Sequence, residues 1–259
     1  MSYRCALVTG ATYGIGRSFA EQLPATTGLV LTGRTEERLK ALKDALSRDG
    51  RRVDTVAADL AAAEGRERVV AAAEAAEIDL LINNAGLGRF GPFLENPPEA
   101  EREMVEVNVV APVVLTRALL PGMVARAVAD GRRAGVVVLS SVAGFQAVPY
   151  FATYAATKSF DLMFAEALAA ELKDEPVDVV AVCPGATETE FFHRAALNPD
   201  AMPYMASPDK VARRGLDALG KRTIDVSDPL RRAMLAPGLV LRALKRAATS
   251  VVMRRIRSA

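Results

Sequence analysis

Apolar residues along this chain concentrate in short segments of strand length, separated by longer stretches of helical spacing. The runs are Arg4 to Val8, Gly28 to Thr32, Arg52 to Ala57, Ile78 to Ile82, Ala134 to Leu139, Val177 to Val182 and Arg222 to Val226. Segments of this length and composition read as strands, although acids such as Asp54, Asp79 and Asp225 interrupt several of them. Between them, helical spacing appears through Phe19, Ala20 and Leu23, in the charged stretch from Glu36 to Lys40, and in the Ala- and Glu-rich residues 62–76. It appears again from Glu99 to Val128, and in Phe160, Met163, Phe164, Ala167, Leu168 and Leu172. Pro112 inside the fourth of these frees the carbonyl of Asn108 and predicts a kink there. Ser207-Pro208-Asp209 is a helix start, with a capping serine, a proline at the first position and an acid at the positive dipole end; that helix runs to Leu219. Strands and helices in alternation predict an α/β fold, a doubly wound and mostly parallel seven-stranded sheet with right-handed crossovers.

Composition narrows the class. The 259 residues fit one large α/β domain or two small ones, and 51% hydrophobic with 25% charged residues marks a soluble globular chain. No apolar run reaches membrane-spanning length, and Met1-Ser2-Tyr3-Arg4 enters the first strand without a signal-peptide pattern, so a cytoplasmic location is expected. Cys5 and Cys183 both fall in strands and read as buried reduced thiols. One histidine, His193, excludes a His-rich metal site; no metal and no nucleic-acid partner are expected.

The division expected is a catalytic domain over 1–227 and a basic extension over 228–259. The extension holds eight basic residues against the single acid Asp228, a net of +7 on a chain whose total is +2. Pro237-Gly238 predicts two helices there. Leu241, Leu244 and Ala248 are expected on one face, with Arg242, Lys245 and Arg246 toward another. Such a segment can lie on an anionic membrane surface, cover a pocket, pack on a neighbouring subunit or stay solvated.

The chemistry-bearing residues sit where the apolar runs end. Thr9-Gly10-Ala11-Thr12-Tyr13-Gly14-Ile15-Gly16 makes a strand, glycine turn and helix, in which a backbone can approach a pyrophosphate at a helix N-terminus. After the second strand, where an acid would bind a ribose 2′-hydroxyl, stand Gly33 and Arg34. An arginine there can hold a 2′-phosphate, so NADP(H) is preferred over NAD(H); Arg34 can equally start the exposed helix that follows. Asp59 after the third strand, before Leu60, can accept from an adenine amino group or cap a helix. Asn83-Asn84-Ala85-Gly86 ends the fourth strand and suits a ligand crevice or an ordinary turn. Ser140-Ser141 ends the fifth. Tyr154 and Lys158 lie four apart on one helical face, where an ammonium lowers a phenol's pKa and makes it a general acid or base. As a lone pair they would read as an ordinary surface contact. Cys183-Pro184-Gly185-Ala186-Thr187-Glu188-Thr189 closes the sixth strand.

Taken in order over residues 5 to about 190, these motifs resemble the short-chain dehydrogenase/reductase family in its single-domain branch. The resemblance implies a Rossmann-type fold, an NAD(P)-dependent oxidoreductase, and Asn108, Ser141, Tyr154 and Lys158 as a catalytic tetrad. Ser141 matches rather than Ser140, being thirteen residues before Tyr154. It implies cofactor contacts at Gly10, Thr12, Tyr13, Gly14, Ile15, Gly16, Arg34, Asp59, Leu60, Asn84, Ala85, Gly86, Tyr154, Lys158, Pro184, Gly185, Thr187 and Thr189. Tyr13 stands where NADP-using members often carry a basic residue, which leaves Arg34 to hold the phosphate, with Arg17 or Arg38 as helpers. In the implied reaction Tyr154 protonates a carbonyl as hydride reaches its carbon, and Asn108 holds a water behind Lys158. A homodimer or homotetramer through the helices at 100–128 and 154–173 is implied as well. The competing reading is a dinucleotide-binding redox sensor or scaffold without turnover; a sugar-nucleotide epimerase or dehydratase is a third. Phe145, Val148, Phe151, Phe191, Phe192 and Met202 suggest an apolar pocket for a small-molecule carbonyl or alcohol such as a lipid-like ketone, steroid or polyketide, or else ordinary packing.

Overall fold

The structure, a computed structural model, describes residues 3–47, 50–197 and 205–258. The seven apolar runs become β1 (Cys5–Thr9), β2 (Gly28–Gly33), β3 (Val53–Ala57), β4 (Leu80–Asn83), β5 (Ala134–Leu139), β6 (Val177–Cys183) and β7 (Ile224–Val226). They pair in parallel in the order β3-β2-β1-β4-β5-β6-β7. Strand order reverses between β1 and β4, which places a crevice outside their carboxyl ends.

Helices α1 (Gly14–Gln22), α2 (Glu36–Leu46) and α8 (Pro208–Ala218) cover one face of the sheet. Helices α3 (Ala63–Ala75), α5 (Ala111–Asp130) and α6 (Ala152–Glu171) cover the other. Successive strand residues feed opposite layers: Leu7 of β1 packs with Leu115 and Leu162, while Ala6 and Val8 pack with Phe19 and Val211. That is why the strands read as largely apolar runs. Leu7, Leu29, Leu81 and Ile82 are fully buried, and truncating any one to alanine costs about 2–5 kcal/mol. Cys5 and Cys183 are buried free thiols, as their strand positions imply.

The structure departs from the sequence pattern at four places. The run at 78–82 becomes a strand from Leu80 to Asn83, although the Asp79 backbone already donates to the Cys5 carbonyl at 3.0 Å and accepts from Gly135 N–H at 2.9 Å, and its carboxylate accepts from the Arg4 and Cys5 N–H groups at 2.9 and 3.0 Å. The long helix divides into α4 (Pro98–Val105), a π turn at Glu106–Val110 and α5. Pro112 cannot donate to Asn108, and the wider turn absorbs the missing bond. This helical stretch, Pro98–Asp130, is also long and apolar enough to cross a membrane by length and composition, contrary to the sequence reading; its apolar residues pack against α3 and the sheet.

The third departure concerns α6. Phe160 and Met163, part of its helically spaced apolar residues, lie outside, with Met163 60% exposed. The buried face carries Tyr154, Lys158, Asp161, Leu162, Ala165 and Glu166 instead. Polar residues occupy it because they pair with one another and with Arg242 of the C-terminal helix, and because this face floors the crevice. The fourth is that α9 (Pro229–Ser258) is a single helix running through Pro237 rather than two. Proline there leaves the Ala233 carbonyl without its intrahelical donor. Both residues are exposed, so water can supply the lost bond. Helix α9 packs on α6 and β7, and none of its described residues lines the crevice. Arg242 and Arg246 turn inward to Glu166, while Leu241 and Leu244 face outward, so these apolar and basic residues take different faces as expected; Lys245 is exposed with the leucines, and the Ala248 side chain lies outside the described residues.

Candidate active site

The crevice is built from the carboxyl ends of β1, β4, β5 and β6. Gly10 and Gly14 adopt left-handed φ of +63° and +57°; a Cβ on Gly10 would lie 2.9 Å from the Ala85 Cα. The Thr9 hydroxyl accepts from both Asn84 and Ala85 N–H groups at 2.9 Å, and the Asn84 amide donates to the Thr9 carbonyl at 2.8 Å. The glycine turn and the Asn83–Gly86 turn are thereby locked together. At the start of α1, Tyr13 makes no side-chain cap and no acid stands in the first turn. The N–H groups there remain open to an anion, which fits a dinucleotide pyrophosphate. Gly10, Tyr13, Gly14, Ile15, Asn84, Ala85, Gly86, Pro184, Gly185, Thr187 and Thr189 line this inner part of the crevice together with Ser141, Tyr154 and Lys158. Gly16 does not line it; it lets α1 approach the turn, since a Cβ there would lie 2.3 Å from the Gly10 carbonyl oxygen.

The outer half of the cleft, about 500 Å³, is lined by Thr12, Arg34, Asp59, Leu60 and Arg194 among others. Asp59 does not cap a helix; its carboxylate accepts from Ala61 N–H at 3.0 Å in a turn. Arg34 is exposed and pairs with Glu103 at 3.0 Å. Of its expected helpers, Arg17 pairs with Glu21 on its own helix and lies outside the cleft, because the i,i+4 geometry favours that partner. Arg38 is held by Glu190 at 3.1 Å. Glu190 also holds Arg194 at 2.9 Å, and the Arg194 guanidinium sits 4.1 Å from the Tyr13 ring centre. Sequence spacing gave no sign of Arg194, which reaches the cleft from the short helix α7 (Phe191–Arg194). His193 on the same helix is exposed.

At the inner end four predicted residues converge. Ser141 caps a 3-10 turn over Val142–Phe145, accepting from Ala143 N–H at 3.1 Å, and its hydroxyl lies near enough to the Tyr154 phenol to favour the phenolate. Ser140 is used differently: its hydroxyl donates to the Lys158 carbonyl at 2.6 Å. Lys158 Nζ donates to the Leu139 carbonyl at 2.8 Å and to Asp161 Oδ2 at 2.9 Å, and stands 5.9 Å from the Tyr154 ring centre. Asn108 in the π turn is fully buried. Its amide donates to the Leu87 carbonyl and the Thr157 hydroxyl, both at 2.9 Å, and its oxygen accepts from Leu87 N–H at 2.8 Å. A Cβ on Gly86 would stand 3.5 Å from both Asn108 Oδ1 and Lys158 Nζ, so those two groups flank that glycine.

Burial drives the Tyr154 phenol upward from its ordinary value. Lys158 and the Ser141 hydroxyl pull it back, Asp161 pushes it up, and the net direction is upward. The sequence expectation of a lowered phenol therefore holds for the Lys158 contribution alone. Burial also works against the Lys158 ammonium, but the Asp161 carboxylate, joined by Tyr154 once that phenol ionises, turns the net direction upward and keeps the lysine protonated.

Aromatic rings wall the site. Tyr154 stacks on Phe151 at 4.2 Å between ring centres and meets Phe191 at 5.3 Å, with Val148, Met104 and Leu87 alongside. Phe192 lines the crevice floor. Phe145 does not belong to this wall; it packs into the core layer on the α6 side and faces Arg242, because the tight turn after Ser141 points it away. Met202 lies outside the described residues.

A parallel sheet with a glycine-turn cradle, and a Ser-Tyr-Lys cluster beside it, define a dinucleotide-dependent oxidoreductase. The sequence matches the short chain dehydrogenase family over residues 4–200. It is 34% identical over 263 residues to dehydrogenase/reductase SDR family member 7B of Bos taurus, covering 91% of this chain and 78% of the relative. Among solved structures, a short-chain dehydrogenase from Sphingobium yanoikuyae in complex with NADPH superposes with a TM-score of 0.80 at 31% identity, covering 95% and 94% of the two chains. A 3-ketoacyl-(acyl-carrier-protein) reductase from Brucella melitensis complexed with NADH gives 0.75 at 26%, covering 86% and 95%. The chain belongs to the short-chain dehydrogenase family and is an NAD(P)-dependent oxidoreductase acting between CH–OH and C=O groups.

Proposed function

We propose that this protein reduces a bulky apolar ketone to its alcohol with NADPH, or runs the reverse reaction, with Tyr154 as the proton donor. The observation that carries the reading is the buried phenol beside Ser141 and Lys158, stacked against the wall of Phe151 and Phe191. The nicotinamide supplies the hydride. Tyr154 gives its proton to the carbonyl oxygen, and Ser141 donates a hydrogen bond where negative charge gathers on that oxygen. Lys158 has two of its three donors fixed by Leu139 and Asp161, which leaves one for the crevice. Asn108 fastens Leu87 and Thr157 behind it. The preference for NADPH rests on Arg34, and on Arg38 and Arg194, which an incoming phosphate would share with Glu190. A panel of ketones from small aliphatic to steroid-sized, run with NADPH and NADH, tests the reading. Turnover with bulky ketones and NADPH is the expected result; tight dinucleotide binding with no turnover on any ketone would instead mark a redox sensor.

Exposed Val114 and Val128 on α5 and Phe160 and Met163 on α6 support association of two or four copies through these helices in the cytoplasm. The outward Met234, Leu241 and Leu244 of α9 support peripheral contact with a membrane, although Arg242 and Arg246 are spent on Glu166. Sedimentation with anionic and neutral vesicles, for the full chain and for one ending at Ser227, tests that contact.

A further inference from the structure

Asp161 is a feature of the site that the tetrad does not include. It lies on the buried face of α6, one turn beyond Lys158, and is only 1% exposed. Its Oδ2 accepts from Lys158 Nζ at 2.9 Å, and its Oδ1 has no hydrogen-bond partner among the described residues. Nothing about stability calls for a carboxylate there. Aspartate is a poor residue for a helix interior, and a buried ion pair is commonly no better than a well-packed apolar pair. Leu162 and Ala165 beside it show that the same face accepts apolar side chains.

We propose that Asp161 is a positioning residue for the reaction: it clamps the Lys158 ammonium against β5 and limits how far that ammonium draws the proton from Tyr154. The inference rests on Tyr154 as the proton donor. With Lys158 held between the Leu139 carbonyl and Asp161, its head group cannot swing, and its remaining donor has one direction to serve. Electrostatically, the carboxylate makes the group beside Tyr154 a neutral pair rather than a lone cation. Tyr154 then stays protonated across the neutral range, as carbonyl reduction requires.

The surrounding charges leave this role to Asp161. Glu166 on α6 is paired with Arg242 and Arg246 of α9, and Asp225 on β7 with Arg214 and Arg222. Cys183 on β6 is a thiol pushed up to about 12 by burial, and is neutral. Burial pushes Asp161 itself up to about 6 against the pull of Lys158, so it is ionised above that pH.

The test uses Asp161→Asn and Asp161→Leu, with Tyr154→Phe as the blank, each saturated with NADP+. Tyrosinate absorbance is followed against pH, a readout independent of turnover. Lys158 and Tyr154 titrate as one unit, and removing a fixed negative charge lets their first proton leave more easily. The expected result is a phenol midpoint lower by about one pH unit in both variants, a tenfold gain in phenolate at a given pH. Ketone reduction should lose its alkaline range by the same interval. An unchanged midpoint in folded variants would overturn the proposal, as would loss of the first proton with no tyrosinate formed. Unfolding of both variants would also overturn it, since the carboxylate would then serve the fold. Failure of the wild-type protein to turn over any ketone, with the midpoint shift intact, would instead strike the role of Tyr154.

Discussion

Replacing Asn108 by alanine removes three hydrogen bonds that join the π turn to the end of β4 and to α6. The Leu87 N–H and C=O lose their partner together. Thr157 is less affected, because its hydroxyl still donates to the Tyr154 carbonyl at 2.8 Å. Each stranded buried polar group costs about 1–3 kcal/mol. Leu87 is half-buried, so its two groups fall near the low end, and the lost side-chain volume adds to the cost. The expected destabilisation is about 3 kcal/mol. For a chain of this size that lowers the thermal midpoint by roughly 6–12 °C. Circular dichroism melting, with and without NADPH, measures it. NADPH affinity should weaken too, since Asn108 flanks the Gly86 backbone in the cradle. A folded variant melting within about 2 °C of the wild type, with unchanged affinity, would refute the reasoning.

Arg34→Asp replaces the proposed 2′-phosphate partner with a repelling charge. NADPH affinity should fall on the order of 10- to 100-fold while NADH affinity moves little, as read by fluorescence titration; equal losses would make Arg34 a surface residue paired with Glu103 only. Burial pushes the Cys5 thiol up to about 11 and Cys183 up to about 12, so neither should react with a thiol reagent at pH 8 until the chain unfolds. In the unfolded chain both would ionise near 9, below their folded values, so their contribution to stability is complete below pH 9 and is lost as pH rises toward 12; a melting midpoint flat across that window would contradict it.

Much of this architecture was legible because parallel strands buried on both faces leave an unbroken apolar signature, as in Leu29-Val30-Leu31 and Val179–Val182. The glycine turn and the Tyr154–Lys158 spacing were legible because each depends on neighbours within one turn of chain. What could not be read depends on distant partners. Asp161 lies among apolar neighbours, and nothing local says that it faces inward to Lys158 rather than outward to water. Arg194 reaches the cleft only because α7 lies against the glycine turn, where Tyr13 offers its ring and hydroxyl. The continuity of α9 through Pro237 follows from both ends of the lost bond being exposed, and composition does not carry that information.

The central claim, that Tyr154 supplies the proton, is tested most directly by Tyr154→Phe. The substitution keeps the ring stacked on Phe151 at 4.2 Å and removes one hydroxyl. With a ketone found by the panel screen, turnover should fall by about 10²- to 10⁴-fold while NADPH affinity stays within about twofold of the wild type. A variant that reduces the ketone at nearly the wild-type rate would contradict the account.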